Sequence, residues 1–116
     1  MDTPKIFDSE YRFCLILWRE EPINSTKLAR ICREELGWSR TTTYTVIKRL
    51  SDRGVVKNEN ATVRSLVGKE QVQASEMEEL LEKTFEGSLP AFIAAFARRQ
   101  KLTEEEVAEL RRIIES

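Results

Sequence analysis

Arg40, Thr41, Thr42, Tyr44, Thr45, Lys48, Arg49 and Arg53 crowd into residues 39–53, where the only anion is Asp52. Guanidinium and ammonium groups neutralise phosphates, and threonine offers a hydroxyl to base edges and a methyl to the thymine methyl. The local excess of three cations contrasts with a whole-chain net charge of −1. On a helix, Arg40, Thr41 and Thr42 occupy the first turn, the part of a recognition helix that enters the major groove most deeply. Tyr44 is placed to stack on a sugar or bond a phosphate, and Thr45 to touch a base edge. Lys48, Arg49 and Arg53 are placed to grip the backbone, which sets register without reading sequence.

No competing chemistry is visible. The chain has no histidine, so imidazole-based acid–base or triad catalysis is excluded. Cys14 and Cys32 stand alone and far apart, whereas a zinc or copper site needs closely spaced ligands. They read as small core or near-surface thiols, and a reducing compartment disfavours a disulfide. The carboxylates fall on glutamate-rich helix faces. The expectation is a protein that is not an enzyme and that holds no metal or cofactor. No apolar run approaches the ~18 residues of a membrane span, and the first residues lack an apolar signal core. A cytoplasmic protein without a membrane partner is expected.

The length of 116 residues allows one ordinary domain or two very small ones. Charge divides the chain. Residues 1–68 carry 12 Lys and Arg against 9 Asp and Glu, a net of +3; residues 69–116 carry 7 against 11, a net of −4. Only the front half is suited to approach a polyanion.

The elements that must position the cations follow from periodicity and caps. Asp8 or Ser9 caps a first helix through about Arg19, with Phe13, Ile16 and Leu17 inward and Tyr11, Leu15 and Trp18 alongside. Asn24 or Ser25 caps a second, carrying Leu28, Ile31, Cys32 and Leu36 and stopped by Gly37. Ser39 caps the third and Gly54 closes it. Thr43, Val46, Ile47 and Leu50 form its inward stripe, opposite the polar set. The period then changes. Val55–Asn58 and Val63–Val67 read as short strands around a turn at Glu59–Thr62. Three helices followed by a hairpin is the order of a winged helix-turn-helix.

The back half reads as three helices. Ser75 opens one with Met77, Leu80, Leu81, Thr84 and Phe85, and Gly87 breaks it. Leu89, Phe92, Ile93, Phe96 and Ala97 mark the next. A capping box at Thr103–Glu106 opens the last, with Val107, Leu110, Ile113 and Ile114. A segment of about 40 residues rarely buries enough surface to fold alone, so these stripes are expected to pack on a second copy of the chain, the alternative being that they pack back on the front domain. The predicted fold class is mostly α with a β wing. Residues 1–70 form a winged helix-turn-helix DNA-binding domain, and residues 71–116 a helical dimerisation region.

Three blocks resemble the penicillinase-repressor family of bacterial transcription regulators (the BlaI/MecI/CopY type). The first is Asp8-Ser9-Glu10-Tyr11 with Ile16-Leu17-Trp18. The second is Trp38-Ser39, Thr42, Thr45, Arg49-Leu50 and Gly54. The third is Phe85, Gly87-Ser88-Leu89, Phe96, Leu102 and the glutamate-rich start of the last helix. The resemblance implies a homodimeric repressor on a palindromic double-stranded DNA operator with TACA/TGTA half-sites. Under it, Arg40, Thr41, Thr42, Tyr44, Thr45, Lys48, Arg49 and the wing's Arg64 contact DNA, while Leu81, Phe85, Leu89, Phe92, Ile93, Phe96, Leu110 and Ile113 form the dimer. It further implies a sensor protease that releases DNA by cutting at Ala95-Phe96. The chain departs from the family at that bond, which is usually Asn-Phe. It departs also in the wing, where Asn60-Ala61-Thr62 and Leu66-Val67-Gly68 replace a Gly-Arg turn and a Tyr-x-Pro exit. The paired Cys-x-Cys motifs of copper-responsive members are missing. The alternative reading of the residues is a winged helix used as a protein-interaction module, in keeping with a pI of 5.7.

Overall fold

A computed structural model describes residues 3–99 and 101–116. The order of elements is α1 (Asp8–Glu20), β1 (Ile23–Asn24), α2 (Ser25–Leu36), α3 (Arg40–Asp52), β2 (Val56–Glu59), β3 (Thr62–Ser65), α4 (Lys69–Phe85), α5 (Leu89–Arg99) and α6 (Glu104–Glu115). The chain forms two compact units, Met1–Ser75 and Glu76–Ser116.

The first unit is a winged helix-turn-helix. Phe13, Leu17, Leu28, Cys32, Val46, Leu50, Val55, Val56 and Val63 are all buried in one core. Fully burying such side chains contributes roughly 1.5–3 kcal/mol each. Trp38 stacks on Phe13 at 6.1 Å and pins the turn between α2 and α3 to that core. Gly37 adopts φ 71° there, the left-handed conformation that ends α2 with little steric cost. Asn24 caps α2 by accepting from the Thr26 N–H, and Ser39 caps α3 by accepting from the Thr42 N–H.

Other expectations are corrected. Neither Asp8 nor Ser9 caps α1. Phe7 occupies that position, and its N–H donates to the Glu10 carboxylate at 2.9 Å. Leu15 faces solvent rather than the core. The hairpin is offset from its expected bounds, with Asn60 and Ala61 at its tip, both at positive φ (52° and 62°). A third strand went unseen: β1 pairs with β3 through Ile23↔Val63 and Asn24↔Thr62, giving the antiparallel order β1-β3-β2. Two residues of strand carry no period to read. α4 begins at Lys69 rather than Ser75. Val72 N–H donates to the Gly68 carbonyl, and the Val72 side chain is buried in the first core. The first compact unit therefore extends past the expected boundary at residue 70.

The wing is fastened at several points. Glu21 accepts from the Ser65 N–H at 2.7 Å and from its hydroxyl at 2.9 Å. Trp18 Nε1 donates to the Val67 carbonyl at 3.0 Å, and Ser25 N–H donates to the Ala61 carbonyl at 2.8 Å.

The second unit comprises the rest of α4 with α5 and α6. Glu86 and Gly87, both at positive φ, end α4. Ser88 caps α5 by accepting from the Ala91 N–H. Thr103 and Glu106 make the expected capping box on α6. Phe85 packs edge-on against Phe92 at 5.5 Å, and Phe92 lies 6.4 Å from Phe96. No residue of α5 or α6 is buried. Among the described residues no helix is long and apolar enough to cross a membrane.

Among the described residues Glu10 is the one buried carboxylate of the first unit, facing Arg53 and Arg49. Removing one partner of a buried ion pair costs ~3–5 kcal/mol, and less where the cation keeps some water. Glu10→Ala should cost roughly 2–3 kcal/mol, read from urea unfolding by the fluorescence of Trp18 and Trp38. A loss under ~0.5 kcal/mol would show that the carboxylate contributes nothing net.

Burial pushes the Cys14 thiol from its ordinary 9.0 to about 12 and the Cys32 thiol to about 11. The native state thus holds these protons after the unfolded chain has released them. Their contribution to stability is complete below about pH 9 and lost as pH rises toward the native values. Stability measured at pH 8 and pH 10 should fall, and Cys14→Ala/Cys32→Ala should reduce that fall. An equal fall in the double variant would exclude the thiols as its source.

Candidate nucleic-acid interface

α3 owes its position to its two faces. Thr43, Val46, Ile47 and Leu50 are buried beneath it, so Arg40, Thr41, Thr42, Thr45, Lys48 and Arg49 are turned to solvent. The Ser39 cap satisfies the Thr42 N–H. A helix N-terminus leaves its first amides to meet an anion.

The outward side chains differ in their commitments. Thr41 and Thr45 are fully presented. Thr42 shares a hydroxyl contact of 2.9 Å with Ser39. Lys48 lies 3.8 Å from Asp52, an exposed pair that holds it weakly. Arg49 Nε lies 3.9 Å from the Glu10 carboxylate, while its side chain remains 57% exposed. It can lean toward a phosphate without leaving a buried charge bare, because Arg53 also faces Glu10.

Arg53 is differently placed from its expected role as a backbone grip. Its guanidinium donates to Glu10 and, at 2.9 Å, to the Lys5 carbonyl, and it covers the Phe7 ring at 5.3 Å. It is a strut between the N-terminal segment, α1 and the end of α3.

Tyr44 is half-buried. Hydrogen bonding with Thr26 above all, then with Ser25 and Arg40, draws its phenol below the usual range. The Arg40 guanidinium lies 5.5 Å from its ring centroid. Tyr44 thus sits against the start of α2 and carries Arg40 on its face.

Arg64 is exposed on β3, with Lys57 directly opposite on β2. Like charges opposed on one sheet face repel. Lys57 is partly neutralised by Glu59 at 2.8 Å, whereas Arg64 acts on that carboxylate only at longer range and forms no ion pair among the described residues. The strand register, invisible before the hairpin's bounds were known, adds Lys57 to the wing's cations.

Sequence reasoning also passed over α2, where Lys27, Arg30 and Arg33 recur every third residue along one exposed face. That spacing is legible in the sequence, interleaved with the apolar positions that bury the other face of α2. Thr26, Ala29, Arg30, Arg33 and Arg40 line an open groove of about 190 Å³ between α2 and the start of α3.

The residues expected to form a dimer divide by exposure. Leu81, Phe85 and Phe92 are half-buried, while Leu89, Ile93, Phe96, Leu110 and Ile113 are exposed. Ala95 and Phe96 fall within α5.

The penicillinase repressor family model matches residues 6–116 of the chain. The methicillin resistance regulatory protein MecI of Staphylococcus aureus (strain Mu50 / ATCC 700699) is 24% identical over 116 residues, covering 97% of this chain and 94% of that one. Its namesake from Mammaliicoccus sciuri is 23% identical with the same coverage. The penicillinase repressor of Bacillus licheniformis is 26% identical over 117 residues, covering 97% and 91%. A match over nearly the whole chain, on a winged helix whose third helix turns a cationic face to solvent, makes this protein a member of the penicillinase-repressor family of transcription regulators.

Proposed function

We propose that the protein is a dimeric transcriptional repressor whose α3 enters the major groove of an inverted-repeat operator. The outward face of α3 carries this reading. Arg40, Thr41, Thr42, Thr45, Lys48 and Arg49 are exposed, while the opposite face is buried. A rigid apolar back and a free polar front are what groove reading requires. Thr41 and Thr45 read base edges; Lys48, Arg49 and the wing's Arg64 hold phosphates. Two copies related by a two-fold axis require half-sites about one DNA turn apart, ~34 Å.

The second unit supports a dimer. α5 and α6 bury nothing, while Ile113 is 60% and Ile114 77% exposed, alongside Phe96, Leu110, Ile93 and Leu89. Apolar surface gathered on so small a unit marks an interaction site. The occupant proposed is the same unit of a second copy. DNA release follows when this interface is lost, as by a sensor protease cutting at Ala95-Phe96. That bond lies inside α5, so cleavage requires local opening of the helix.

Selection of bound sequences from a random duplex pool should return an inverted repeat. Thr45→Ala should then relax preference at one position of each half-site, at ~1–3 kcal/mol per lost contact. Lys48→Ala should weaken all sequences alike and flatten the salt dependence by about one unit of slope. The opposite assignment of effects would reverse these roles, and salt-independent binding would point instead to a protein-interaction module.

A 1–95 fragment lacks Phe96 and all of α6. It should sediment as a monomer and lose tight operator binding, since each half-site contact then acts alone. The winged unit should stay folded, because its core ends at Val72. Operator affinity equal to that of the whole chain at nanomolar protein would disprove control by the C-terminal helices.

A further inference from the structure

The groove between α2 and α3 is cationic beyond what the recognition helix needs. Arg30 and Arg33 of α2 line it with Arg40 of α3, and its remaining lining is Thr26 and Ala29. No carboxylate takes part. Two other arginines of the first unit are engaged, Arg19 with Glu20 and Glu35, and Arg53 with Glu10. Arg30, Arg33 and Arg40 have no ion-pair partner among the described residues. Three guanidiniums facing one depression repel one another unless an anion lies between them.

The shape indicates which anion. A groove of about 190 Å³ has room for one tetrahedral oxyanion that keeps part of its hydration. Small-molecule sites enclose most of their ligand between apolar and aromatic walls. This groove is open, and no aromatic ring lines it to hold a base or sugar. Arginine forks match phosphate oxygens two at a time. Arg40, held over the Tyr44 ring, loses less freedom when it binds.

We propose that this groove seats a backbone phosphate of duplex DNA, gripped jointly by Arg30 and Arg33 of α2 and Arg40 of α3. α2 supplies two of the three guanidiniums of that seat. The seat rests on the DNA-binding reading of α3. It fixes register on the duplex and carries no base information.

The test uses the full chain and a mixed-sequence duplex, with affinity measured across a salt series. Arg30→Gln/Arg33→Gln should lower the slope of log affinity against log salt by about 0.9, the value for one phosphate contact. Arg30→Lys/Arg33→Lys keeps both charges and should restore most of the slope. Unchanged Trp fluorescence and urea midpoint certify folding. If the wild type and Lys48→Ala show the expected salt dependence but Arg30→Gln/Arg33→Gln matches the wild-type slope, the seat is wrong and the role of α3 stands. If the wild type does not bind duplex at low salt, both fall. Inorganic phosphate alone separates the two sources of the same chemistry. Saturable shifts of the Arg30 and Arg33 Nε–H signals at submillimolar phosphate would assign the groove to a free phosphorylated ligand and overturn the DNA seat. Their absence, with the slope change, supports it.

Discussion

A carboxylate taken out of water holds α3 in place. Glu10 is 2% exposed, and a bare charge at such a site would cost several kcal/mol. It is compensated from three directions: the Phe7 N–H, the Arg53 guanidinium and, at longer range, Arg49. Arg53 in turn reaches the Lys5 carbonyl. The N-terminal segment, the first turn of α1 and the last turn of α3 therefore cannot move separately without stranding a charge. The apolar stripe of α3 sets how deep the helix sits. Its buried stripe also sets which residues face outward, and the ion cluster ties its last turn to α1 and to the N-terminal segment.

The same accounting separates cations that build the protein from those left for a ligand. Arg53 is spent on Glu10, and Arg19 on Glu35 at the far end of α1. Arg30, Arg33, Arg40 and Arg64 have no such partner among the described residues, and Lys48 and Arg49 are only loosely held. Net charge for the chain is −1 and says nothing of this. What matters to a polyanion is the sign of the surface within about a Debye length, ~8–10 Å at physiological salt, and on α2, α3 and the wing that sign is positive.

The two compact units stand at opposite ends of self-sufficiency. The first closes a core around Phe13, Leu17, Leu28 and Leu50 and fastens its wing through Glu21, Trp18 and Ser25. The second has sound helices, with a capping box at Thr103 and a glycine stop at Gly87, yet α5 and α6 bury no residue. Helix propensity and capping are local, whereas burial needs a facing surface. Correct local signals thus coexist with an unfilled apolar face.

Most of the first unit was legible in the chain itself. Caps at Asn24 and Ser39, stops at Gly37 and Gly54, and the stripe Thr43, Val46, Ile47, Leu50 are encoded by residues close in sequence. So was the polar front of α3, because the back of a helix determines its front. Contacts between residues distant in sequence were not legible. Arg53 resembles any basic residue at a helix end until Glu10, 43 positions earlier, is seen beneath it. β1 is too short for a period and exists only because β3 lies alongside. Val72 belongs to the first core though a single apolar residue announces nothing, and Arg30 and Arg33 form a groove only because the turn at Gly37 returns Arg40 to their side. Sequence by itself determined the elements and their faces, since these depend on neighbours within a turn or two. Tertiary structure decided which charges are spent internally and which remain free, because that depends on what each helix meets across the core.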